Sequence, residues 1–106
     1  MPTKNFTREF NRLYSNLNEL FRRIYDAEHE YPSKTCAIWF VDDLNTLMSD
    51  AKLISMLTSE QIDNIVEKSI MLRKTNLIDI NIKRELSLMV KQLKEFKNTK
   101  SNVMEV

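Results

Sequence analysis

Along the first quarter of the chain, Phe6, Phe10, Leu13, Leu17, Leu20 and Ile24 recur at spacings of 4, 3, 4, 3 and 4, the seam of an amphipathic helix. Tyr14, Phe21 and Tyr25 widen the stripe. The pattern predicts a helix from about Thr7 to Glu30, ending near Tyr31 because the residue before Pro32 is pushed out of the α region. Ser33 then offers itself as an N-cap for a second helix, from about Lys34 to Ser49, whose broad apolar face holds Ala37, Phe40, Val41, Leu44, Leu47, Met48 and Ala51. A break at Ser49-Asp50 and a short helical piece over Lys52 to Leu57 follow.

Thr58-Ser59-Glu60-Gln61 matches a capping box and starts a third helix, Ser59 to Arg73, with Ile62, Ile65, Val66, Ser69 and Leu72 on one face. Asn76 or Asp79 can cap a final helix with the apolar face Ile78, Ile82, Leu86, Met89, Leu93 and Phe96, ending near Lys97. The fold class expected is all-α: a small antiparallel bundle of about four helices over 1–98, with a flexible polar tail over 99–106. In the alternative, the last two helices merge across Thr75-Asn76 into a hairpin that dimerises to close its core.

Composition narrows the chemistry. The 106 residues include no glycine, where average usage would give roughly seven. A Gly-rich phosphate loop, a dinucleotide fingerprint and a nucleophile elbow are thereby excluded, since each needs a backbone position that glycine takes cheaply. Net charge is only +1, but residues 1–50 carry six Lys/Arg against eight Asp/Glu, net −2, and residues 51–106 ten against seven, net +3. A lone cysteine, Cys36, fits a reducing compartment, and the N-terminal stretch has no apolar run of the signal-peptide kind, so a cytoplasmic protein without a membrane segment is expected. The abundance of Asn, Lys and Ile suits an AT-rich source such as a phage or plasmid.

Four clusters are candidates for chemistry. Asp26, His29 and Glu30 could share a helix face as oxygen-rich metal ligands, although a charged last helical turn is the ordinary reason for such a run, and no metal or other cofactor is expected. Lys83, Arg84, Lys91, Lys94, Lys97 and Lys100 form a basic face that could meet phosphates, although no aromatic residue is interleaved with them. Trp39 points about 140° away from the centre of its helix's apolar face, among Thr35, Asp42 and Thr46. A tryptophan so placed either anchors a partner or packs with Ile38 in a second core layer. Leu88 is similar, opposite its core face amid Arg84, Lys91 and Glu95.

Arg23 and His29 form an Arg-x5-His element that resembles the Arg-x4-6-His element of the HEPN nucleases, all-α domains that often cut RNA as dimers. The resemblance implies phosphate binding by Arg23 and acid/base catalysis by His29. It covers seven residues, on the first helix and with Ile24 after the arginine. The expectation preferred from the residues themselves is a non-enzymatic protein-binding module, an inhibitor, adaptor or immunity- or chaperone-like regulator. It would dock an exposed helix face formed by Ile38, Trp39, Asp42 and Asp43, with Leu88 as a further contact. A HEPN-like RNase, or a nucleic-acid-binding regulator using Lys83, Arg84, Lys91 and Lys94, is the alternative, and a homodimer is open in either case.

Overall fold

The computed structural model describes residues 5–24 and 33–104, with side chains as far as Thr99. Among the described residues there are five helices: α1 (Phe6–Ile24), α2 (Ser33–Met48), α3 (Ala51–Ser55), α4 (Ser59–Arg73) and α5 (Ile80–Met104). There is no strand among the described residues, and the helices contact one another as in a small helical bundle, so the all-α class holds. The chain divides into two compact units, Met1–Met56 and Leu57–Val106.

In the first unit, Asn5 precedes α1 and its Oδ1 accepts from the Arg8 N–H at 3.0 Å, an N-cap arrangement one step earlier than the pattern suggested. Glu9 in the first turn and Arg22 and Arg23 in the last complement the helix dipole. The seam behaves as its spacing requires: Phe10, Leu13, Leu17, Leu20 and Ile24 are all buried. Phe6 stays partly open, with the Lys52 ammonium of α3 5.0 Å from its ring centroid. Opposite this seam, α2 buries Cys36, Ala37, Phe40, Val41, Leu44 and Leu47. Contacts between Ile24 and Ser33, Phe21 and Phe40, and Asn16 and Asp43 run down α1 as they run up α2, so the pair is antiparallel.

Two expectations are corrected here. Ser33 is the first residue of α2 rather than its N-cap, and its hydroxyl donates to the Ile24 carbonyl at 3.1 Å, because the last carbonyls of α1 need a donor. Ala51 is exposed, since the break at Ser49-Asp50 starts a new helix with its own face. Asp50 caps that helix, accepting from the Lys52 N–H at 2.9 Å. Residues 25–32, which include the expected end of α1, lie outside the described residues.

In the second unit both arms of the capping box form: Gln61 N–H to Thr58 Oγ1 at 3.1 Å, and Thr58 N–H to Gln61 Oε1 at 2.9 Å. Ile62, Ile65, Val66, Ser69 and Leu72 are buried as their spacing predicts. The helix closes at Lys74, and Asp79 Oδ1 accepts from the Ile82 N–H at 2.9 Å to open α5, so the merged-helix alternative does not occur. Against α4, α5 buries Leu86, Met89, Val90 and Leu93. Two polar ties, Arg73 to Ser87 at 2.9 Å and Lys97 to Asp63 at 2.7 Å, run in opposite directions along the two helices and make this pair antiparallel as well. The helix expected to end near Lys97 continues to Met104, since no glycine or proline interrupts it and Thr99 Oγ1 donates back to the Glu95 carbonyl. Ile78 is buried from the connection before α5, not from the helix itself.

Two substitutions test this account. Thr58→Ala should cost about 1 kcal/mol in urea unfolding, with a Gln61→Ala effect that is not additive with it. Ser69 is fully buried and its hydroxyl has no hydrogen-bond partner. Ser69→Ala should therefore raise the unfolding midpoint, by roughly 1 kcal/mol of stability, whereas a loss would mean that the hydroxyl is bonded in solution.

Candidate functional site

On the first unit a groove of about 520 Å³ opens between α1 and α2, lined by Asn16, Glu19, Leu20 and Arg23 from one helix and Trp39, Asp42 and Asp43 from the other. Trp39 sits in its wall 40% exposed, in keeping with its position away from the apolar face. Ile38 is half-buried and does not line the groove, because it faces the other side of α2. Among the described residues, no hydrogen bond or ion pair engages the Asp42 carboxylate.

Two of the other charges compensate each other, Glu19 with Arg23. Glu19 accepts from Arg22 at 2.7 Å and from Arg23 at 3.2 Å, and the Arg22 hydrogen bond above all holds its carboxyl below the usual range. Asp43 shifts the other way. Burial pushes its pKa up and the neighbouring Asp42 charge adds to the rise, against the opposing pull of Arg12 and a hydrogen bond with Asn16.

A second groove, of about 650 Å³, lies on the other unit. Leu88, Lys83, Arg84 and Lys91 of α5 line it together. Arg73 and Ser87, joined by their hydrogen bond, complete one wall, and Ile80 closes one end. Ile80 and Leu88 are each 61% exposed. The sequence pattern singled out Leu88 and three of the cations but missed Ile80 and Arg73. Ile80 was readable, two helical turns before Leu88 on the same stripe, while Arg73 reaches the groove only through the α4–α5 pairing. Lys94 is exposed and does not line the groove.

Asp26, His29 and Glu30 lie outside the described residues, and with them the metal reading and the histidine of the HEPN-like element. Its arginine, Arg23, is bonded to Glu19. Among the described residues no three His, Cys, Asp or Glu side chains gather as metal ligands, and no helix is long and apolar enough to cross a membrane. Cys36 is fully buried.

No known protein family, curated protein or solved structure matches this chain. What the fold and its surfaces define is an all-α protein of paired antiparallel helices, bearing one groove with an aromatic and carboxylates and another with aliphatics and cations.

Because the folded chain raises the Asp43 pKa, it favours the protonated form, and the resulting contribution to stability is lost as pH rises through that pKa. Asp43→Asn should accordingly melt higher than the parent at pH 7, and the gap should close as pH falls through the carboxylate range. Equal melting temperatures at every pH would show that Asp43 is as solvated in the folded chain as in the unfolded one.

Proposed function

We propose that this chain is a non-enzymatic protein-binding module that acts by occupancy, docking the Trp39 groove on a partner protein. The observation that carries the reading is the pairing of a partly exposed tryptophan with a carboxylate, Asp42, that no other described side chain engages. A tryptophan 40% exposed beside an unengaged carboxylate suits a partner surface that offers an arginine or lysine next to an apolar contact. The cation would pair with Asp42, and the apolar neighbour would bury the part of the ring that is exposed. Asp43 belongs to the same reading, because a partner cation would relieve the cost of its partly buried charge. Rim charges such as Arg12 would set orientation and encounter rate more than affinity. Regulators of the inhibitor, adaptor or immunity-protein kind work in this way.

The test compares affinity capture from the native source by the parent chain, Trp39→Ala and Asp42→Lys. The captured partner should be lost from both variants while helical circular dichroism is unchanged, with Trp39→Ala weakening binding by about 30-fold or more, the scale of a tryptophan hot spot. In the isolated protein Trp39 fluorescence should be red and quenchable by acrylamide, and should move to the blue on binding. A blue, protected emission in the free chain, or an undiminished affinity of Trp39→Ala, would sink the proposal.

A further inference from the structure

The α4–α5 groove differs from the Trp39 groove in sign and in kind, and its reading is independent of the one above. Ile80, Arg84, Leu88 and Lys91 fall on one stripe of α5, turned away from the buried Leu86, Met89, Val90 and Leu93. The two aliphatic side chains stand about 12 Å apart along the helix axis. Around them the cations are uncompensated: the side chains of Lys83, Arg84 and Lys91 engage in no hydrogen bond or ion pair among the described residues. Arg73 is steadied by the neutral hydroxyl of Ser87 and keeps its full charge. No carboxylate lines the groove.

We infer that this groove receives an acidic amphipathic helix of a partner protein, two apolar residues of that helix packing on Ile80 and Leu88 while its flanking carboxylates meet Arg73, Lys83, Arg84 and Lys91. A helix laid in a groove presents apolar residues at i, i+4 and i+7 or i+8, a reach that matches the Ile80–Leu88 separation, and its flanks are where the cations stand. Nucleic acid suits the charge but not the centre, since a phosphate backbone desolvates neither aliphatic and no aromatic residue lines the groove to stack a base. An anionic bilayer is a poorer match, because the continuous apolar face of α5 is turned into its own core and only Ile80 and Leu88 remain to insert.

The full chain should be titrated with a fluorescent designed peptide of roughly four helical turns, with leucines on one stripe and glutamates on both flanks. A scrambled peptide of the same composition, a duplex RNA, and phosphatidylglycerol vesicles complete the comparison. The patterned peptide should bind about tenfold or more tightly than the scrambled one, and more tightly than RNA or vesicles. The double variant Ile80→Ser/Leu88→Ser and the charge reversal Lys83→Glu/Lys91→Glu should each weaken the patterned peptide by a similar factor while circular dichroism stays that of the parent. These side chains are surface-facing, so loss of binding is not loss of fold. Four results would overturn the inference: no binding, equal affinity for the scrambled peptide, preference for RNA or vesicles, or unchanged binding by the Ile80/Leu88 variant. None of them touches the Trp39 groove, whose own test stands separately.

Discussion

The helix ends among the described residues are built without a left-handed residue. With no glycine in the sequence and no positive φ at any described residue, the usual αL cap does not occur at the ends of α3 and α4. Met56 and Lys74 close them in the right-handed region instead, each turning its N–H back onto carbonyls of the last turn. Side-chain hydroxyls add further donors to carbonyls of the last turns: Ser49 donates to Asn45, Ser55 to Lys52 and Thr75 to Leu72. The Ile24 carbonyl, at the last described residue of α1, accepts from the Ser33 hydroxyl, so one hydrogen bond ties that position to the start of α2. The antiparallel register of the first unit follows from that placement together with the interlocking Leu/Phe seam.

What could be read from the sequence was what is local. The seam of α1 and the whole of α4, from the Thr58–Gln61 box to Arg73, follow from spacings and hydrogen bonds within a few residues of each other. The end of α5 lies beyond the Lys97 that the apolar pattern predicts, because loss of the apolar face does not itself end a helix. A polar, lysine-rich stretch without glycine or proline has no local reason to leave the helix, and Thr99 adds a bond to the preceding turn. The roles of Ser33, Arg73 and Ser87 were hidden for a different reason. Each depends on a partner nine or more positions away, and period alone does not report such pairs.

The candidate surfaces divide along the same line. Trp39 and Leu88 stood out because each breaks the apolar pattern of its own helix, and both prove exposed. Their surroundings needed the structure. Around Trp39, Glu19 is occupied by two arginines, which leaves Asp42 as the carboxylate open to an outside cation. Around Leu88 no acidic group enters the groove. A net charge of +1 therefore conceals two grooves of opposite sign, one rich in carboxylates and one whose charged residues are cations alone.

That contrast bears on what the chain can do. An apolar side chain left exposed gives up part of the burial that folding could have supplied, and a cluster of like charges adds repulsion. Ile80 and Leu88 among four cations carry both costs, on a helix whose opposite face is well packed. The solvent face of α5 could carry alternating charges at no loss to the core, because Leu86, Met89, Val90 and Leu93 already fill the contact with α4. Folding therefore does not explain the choice of residues on that stripe, whereas an anionic, partly apolar ligand would relieve both costs at once. The same logic applied to Trp39 gives a weaker contrast, since two of the charges lining its groove, Glu19 and Arg23, pair with each other, and there the unengaged Asp42 carboxylate carries the argument.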